Sequence, residues 1–149
     1  MDRFKIYTHV FKIDDDCKII NNVGSELYQF ISLNPYSGGH INYKMHPDAG
    51  NRDWHLNTKY NNKNEYWGKK RYNGFYVPWL RGSNYVLART LVKKINQIWN
   101  YNNLSLLRKT EPYEDLMIGK VCFFLGVAPK MYPRHIKIVL DEFDLAENN

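Results

Sequence analysis

Phe4-Lys5-Ile6-Tyr7-Thr8-His9-Val10-Phe11-Lys12-Ile13-Asp14-Asp15-Asp16 is the stretch that decides the fold class. From Phe4 to Ile13 the residues favour extended backbone and predict one strand. The strand runs straight into three consecutive carboxylates. No packing need asks for three adjacent like charges, and a cation would relieve their repulsion. Ligands in α/β sheets bind beyond strand ends. An acidic cluster there points to a divalent metal, and a metal there to a phosphate-bearing substrate.

Outward from this stretch, the chain alternates helix and strand patterns. Val23 to Leu33 predicts a helix, with Ser25 or Asn22 as N-cap and Leu27, Phe30 and Ile31 on its apolar face. Pro35-Tyr36-Ser37-Gly38-Gly39 breaks it, and His40-Ile41-Asn42-Tyr43 reads as a strand. From His46 to Gly74 no period is sustained, and loops of that length inside a compact domain are usually functional or mobile. Phe75-Tyr76-Val77 reads as a strand stopped by Pro78. Asn84 to Trp99 predicts a helix with Leu87, Leu91, Ile95 and Ile98 on one stripe. A further helix is expected from Tyr113 to Leu125. Glu114 and Asp115 stand at its start, Ile118, Val121, Cys122 and Leu125 face inward, and Gly126 ends it. Ile136 to Leu140 reads as a last strand, and the tail from Asp141 is acidic and expected to fray. The expectation is one α/β domain over 1–149, a mixed β-sheet flanked by helices.

Composition agrees with a folded domain. Of 149 residues, 44% are apolar and 24% charged, enough for one core. Aromatics reach 15%, a level that favours stacking on sugars or bases as well as core packing. The net charge of +6 attracts phosphates in general. The basic residues are scattered apart from Lys69-Lys70-Arg71, so no nucleic-acid stripe is read. No apolar run reaches the ~18–20 residues of a membrane span, and Met1-Asp2-Arg3-Phe4-Lys5 does not read as a signal peptide. Cys17 and Cys122 allow one disulfide without demanding it, which suits a reducing compartment and a cytoplasmic location.

Three further segments carry chemistry-bearing residues. Pro78-Trp79-Leu80-Arg81-Gly82-Ser83-Asn84-Tyr85-Val86-Leu87-Ala88 contains a glycine turn. Glu114-Asp115-Leu116-Met117-Ile118-Gly119 is an acidic helix start with a glycine one turn in, and His135 follows later. Each has a plain structural reading when taken alone. The Asp triplet is then a solvated turn, Asp115 a dipole-satisfying acid, Gly82 a turn residue, His135 a surface histidine and Trp79 core. Arg52-Asp53-Trp54-His55 reads first as a loop anchored by its tryptophan, and Lys69-Lys70-Arg71 as a solvated run.

Taken in order, these segments resemble the β-1,3-galactosyltransferase/N-acetylglucosaminyltransferase group, to which the fringe enzymes are related. The resemblance runs from about Val10 to His135. It implies a partial or compact GT-A-like fold and an inverting, metal-dependent glycosyltransferase that uses a UDP-sugar. By the same resemblance, Asp16 and His135 would ligate Mn²⁺, with Mg²⁺ as the alternative. Asp14 and Asp15 would contact the donor ribose or the metal's water shell. Asp115 would be the catalytic base, beside Glu114. Arg81, Gly82, Ser83, Glu114 and Trp79 would line the donor and acceptor cleft; Trp54, Tyr66, Trp67 and Tyr76 are further aromatics for stacking or shielding.

The chemistry agrees with those roles. A departing diphosphate builds charge that a cation can neutralise, and an attacking hydroxyl needs a carboxylate within reach. Two departures stand beside the resemblance. Leu80 occupies a position where many members have Cys, and only thirteen residues precede the triplet, where the family places its nucleotide-recognising half. Three explanations stay open: a homo-oligomeric partner or a second polypeptide completes the nucleotide site, the donor is held only through its diphosphate with weak and poorly selective binding, or the chain is a remnant without activity. Two other functions remain open from sequence. One is a non-catalytic glycosyltransferase-like module that binds glycan or pairs with a larger enzyme; the other is a metal-dependent hydrolase of a phosphorylated or glycosidic substrate.

Overall fold

The computed structural model describes residues 7–15, 17–19, 24–43, 75–100, 103, 113–136 and 138–140. Asp16, Asn22, all of 44–74 with its Trp54, Tyr66, Trp67 and basic run, and the tail from Asp141 lie outside the described residues.

The elements in chain order are β1 (His9–Ile13), β2 (Lys18–Ile19), α1 (Ser25–Leu33), β3 (Tyr36–Gly38), β4 (Ile41–Asn42), β5 (Trp79–Leu80), β6 (Asn84–Ala88), α2 (Arg89–Ile98), α3 (Glu114–Phe124), β7 (Lys130–Met131) and β8 (Val139–Leu140). Four strands form a mixed sheet in the order β1-β6-β3-β7. Its first two pairings are antiparallel and the β3–β7 pairing is parallel. The short ladders β2–β8 and β4–β5 are both antiparallel. The fold is α/β with a mixed sheet, as the sequence predicts.

β6 is the strand around which the rest packs. Asn84, Tyr85, Val86 and Leu87 are all buried. Successive side chains point to opposite faces, so β6 feeds two cores. Val86 joins Leu27 and Ile31 of α1, with Tyr132 and Ile138. Tyr85 and Leu87 join Tyr36, Leu80, Leu91 and Cys122 on the other face, towards α2 and α3. A smaller third cluster holds Val77, Trp79 and Leu116. Burial pushes the Cys122 thiol up to about 12, so it behaves as an inert core group. Cys17 and Cys122 are not joined to each other in a disulfide.

This arrangement corrects several expectations. The helix expected from Asn84 begins only at Arg89, because Asn84–Ala88 is the central strand. A strand buried on both faces has no polar alternation, so its apolar run merges with the stripe of the helix behind it. Leu91 and Ile95 keep their place on the inner stripe, whereas Ile98 is exposed. Tyr36–Gly38, expected as a break, is instead a sheet strand between β6 and β7. Its small residues permit close approach: a Cβ on Gly38 would lie 3.0 Å from the Asn84 carbonyl oxygen. Phe75-Tyr76-Val77 is not strand; the strand starts beyond Pro78, at Trp79. The first strand starts at His9 within the expected run, and the last is confined to Val139–Leu140. Gly24, rather than Ser25, takes the N-cap position of α1, without a side-chain cap.

α3 matches its expected span. Its end is a Schellman arrangement: Gly126 has φ 71°, its N–H donates to Phe123 O and that of Val127 to Cys122 O. Near its middle, Gly119 faces β5 at close range. A Cβ there would stand 2.4 Å from Trp79 Cβ and 3.2 Å from Trp79 Cα. Neither atom can rotate away, so Gly119→Ala must push α3 off β5. We expect a loss of about 2–3 kcal/mol, beyond the ~1 kcal/mol that Ala contributes by helix propensity. A fall in the urea midpoint is the check; an unchanged or higher midpoint would refute the close approach.

Candidate functional site

Register and helix placement bring the acids of two distant segments together. β1 pairs with β6 so that Lys12 stands opposite Tyr85 and Ile13 opposite Asn84. The chain then leaves the sheet at Asp14, whose N–H donates to Ser83 O at 3.0 Å. This bond joins the acidic turn to the Arg81-Gly82-Ser83 turn. Cys17 supports the junction, its N–H donating to Asp14 O and its Sγ lying 3.6 Å from Ser83 O.

α3 approaches the same turn from the other side. Asp115 is buried at 7% exposure. Burying a carboxylate is costly unless donors meet it. Here Trp79 Nε1 donates to Oδ2 at 3.1 Å and Leu116 N–H donates to Oδ1 at 2.8 Å. The positive end of the α3 dipole adds to this. Gly82 lies against the same carboxyl: a Cβ built on it would be 3.6 Å from Asp115 Oδ2. Trp79, itself fully buried, is therefore both a core anchor and the donor that orients Asp115. Tyr76 stacks against its ring at 5.8 Å between centroids.

Glu114, half exposed, is held by different partners. Tyr85 Oη donates to its Oε1, and Lys12 Nζ lies 3.8 Å from its Oε2. Lys12 Nζ also donates to Asp14 Oδ1 and to the Gly82 carbonyl, and it sits 5.9 Å from the centroid of the Tyr85 ring. Burial first, and then the bond to Glu114, push the Tyr85 hydroxyl far above the ordinary tyrosine range, so it remains a proton donor. Lys12 and Tyr85 join this candidate site, and the sequence reading, which quotes both within its motifs, gives neither a role. Lys12 carried a signal: it lies two positions before Asp14, on the same face of the strand. Tyr85 carried none while its segment read as helix.

The remaining expected residues fall as follows. Asp15 is exposed at the turn. Arg81 is half-buried, and its N–H donates to His40 O at 3.0 Å. His135 lies after β7 and pairs through Nε2 with Glu26 Oε1 at 2.8 Å, at the start of α1. Its neighbour Ile136 packs on the α1 core, while Asp115 belongs to a helix packed on the opposite sheet face.

A divalent ion needs several donors converging on one point. Among the described residues, no group of three or more His, Cys, Asp or Glu side chains does so. Asp14 and Glu114 converge on an ammonium, and His135 faces Glu26. The described residues by themselves do not form the expected Mn²⁺ site. Asp16, the other expected ligand, lies outside them.

No family model, curated protein or solved structure matches this chain. Among the described residues, no helix is long and apolar enough to cross a membrane.

Proposed function

We propose that the chain is an inverting glycosyltransferase of GT-A type that moves a hexose or N-acetylhexosamine from a UDP-sugar to a hydroxyl acceptor. The observation that carries this reading is the convergence of Asp14 at the end of β1 with Glu114 and Asp115 at the start of α3, around the Gly82 turn. The order of these segments in the sequence supports it as well.

In this reading Asp115 accepts the proton of the acceptor hydroxyl as its oxygen attacks the anomeric carbon. The bond from that carbon to the diphosphate breaks in the same displacement, and the leaving oxygen keeps the electron pair. The base must be held within hydrogen-bond reach and correctly aimed. Trp79 and the Leu116 N–H provide that aim. Asp14 and the Arg81-Gly82-Ser83 turn stand on the donor side.

The direct test incubates the full chain with a panel of UDP-hexoses and UDP-N-acetylhexosamines, with and without glycoside acceptors, and follows UDP release. Acceptor-dependent release is expected. Release of free sugar at the same rate without acceptor would favour a hydrolase, and absence of UDP binding would remove the transferase reading.

Metal dependence is tested separately, through Asp16. Calorimetric titration of UDP is expected to give about tenfold tighter binding in Mn²⁺ than in EDTA, a difference of about 1.4 kcal/mol. Asp16→Ala is expected to erase that difference. Equal affinity in EDTA would remove the metal from the proposal and leave the role of Asp115 standing.

A further inference from the structure

We propose that Lys12 is a positioning residue that holds the donor side and the base side of the site in one geometry. The proposal deepens the transferase reading and rests on it for the reaction, but its structural part stands independently.

Three observations carry it. Cross-strand register places Lys12 directly opposite Tyr85, on the sheet face towards α3. The Lys12 ammonium donates to Asp14 Oδ1 and to the Gly82 carbonyl, and lies 3.8 Å from Glu114 Oε2. Tyr85 Oη donates to the other oxygen of the same Glu114 carboxylate. One cation thus spans three segments: the turn after β1, the Gly82 turn and the first turn of α3.

Electrostatics explains why a cation stands there. Asp14 and Glu114 are like charges facing a common point, and without Lys12 they repel. The repulsion would move Asp14 and the first turn of α3 apart, and with that turn the adjacent Asp115. Stability does not account for the arrangement. The three side chains are 27%, 42% and 48% exposed, and ion pairs that open to water contribute little to folding. Alignment is the larger effect, since a displacement near 1 Å can cost about 100-fold in rate.

The experiment compares the full chain with Lys12→Met, which keeps the length of the stem, and Lys12→Arg, which restores the charge. Amide hydrogen exchange is the readout that does not depend on catalysis. In Lys12→Met the Asp14 N–H, bonded to Ser83 O, is expected to exchange about tenfold faster, while Leu87 in the central strand keeps its protection. Lys12→Arg is expected to return Asp14 to within about threefold of the parent. Unchanged exchange at Asp14, or an equal rise across the whole sheet, would overturn the tether.

Kinetics supplies the second readout. Lys12→Met is expected to lower kcat about tenfold or more, with less change in KM for the donor, and Lys12→Arg to recover most of it. An unchanged kcat in Lys12→Met would overturn the positioning role. If the parent chain transfers no sugar, the transferase reading fails, and the exchange result still decides whether Lys12 ties the turns together.

Discussion

Replacing Asp115 by Asn is expected to lower sugar transfer by about 10²- to 10⁴-fold, the range that general base catalysis contributes. Asn has nearly the same shape as Asp. Its one amide oxygen can accept from Trp79 Nε1 or from the Leu116 N–H but not from both, since the carboxylate takes these two donors on separate oxygens, at 3.1 and 2.8 Å. It cannot take a proton from an acceptor hydroxyl. The variant therefore removes the base while keeping the shape of the side chain. Loss of the negative charge at the start of α3 costs about 0.3–1 kcal/mol of dipole stabilisation, and the donor left facing the amide NH2 adds about 1–3 kcal/mol, so the melting temperature should fall and turnover is compared at a temperature where both proteins are folded. UDP affinity should stay within about threefold of the parent, because Asp115 stands on the acceptor side in the proposed reaction. The assay is UDP release under saturating donor and acceptor, with UDP calorimetry beside it. Parent-like turnover would remove Asp115 as the base. Loss of turnover together with loss of UDP binding would assign it to the donor site instead.

Truncating Trp79 is expected to produce the largest stability loss. The side chain is fully buried, in the third cluster with Val77 and Leu116. Trp79→Ala should cost about 3–5 kcal/mol, the range for large aromatic deletions in cores. That is a large share of the 5–15 kcal/mol available to a typical domain. Two effects combine in that figure. The cavity opens beside Gly119, which has no side chain to fill it. The buried Asp115 also loses its indole donor. Trp79→Phe divides them in part, because it keeps one aromatic ring in the cavity and removes the N–H together with the rest of the indole. An unsatisfied buried group costs about 1–3 kcal/mol, so Phe should be roughly half as damaging as Ala. Urea unfolding of the three proteins measures both terms. If Phe is as damaging as Ala, the bond to Asp115 dominates. If Ala costs under about 1 kcal/mol, Trp79 does not anchor α3.

Part of this molecule was legible from residues alone. α1 and α3 are legible nearly in full because each presents a helical pattern bounded by a local signal: the break after Leu33 and Gly126 at the end of α3. β6 is not legible, because burial on both faces erases the polar alternation that marks a strand. Nor is β3, because Tyr-Ser-Gly behind a proline has the composition of a turn. Its strand state comes from close approach to β6, which small residues allow. The candidate site divides in the same way. Asp14, Gly82, Glu114 and Asp115 stand out as residue types that carry chemistry at ordered intervals. Lys12 looked like a polar strand residue and Tyr85 like part of a helix.

The sequence by itself determined that the chain mixes helices and strands, where its acids and turn glycines lie, and which of them could act on a hydroxyl or a phosphate. Those properties depend on side-chain chemistry and on patterns a few residues long. The tertiary structure alone decided which groups meet. The β1–β6 register set Lys12 opposite Tyr85, and the close approach of Gly119 to Trp79 brought the start of α3 against the Gly82 turn. It also set His135 beside Glu26. Such meetings are settled by packing between segments distant in the chain, where burying β6 on both faces outweighs the local pattern of any one segment.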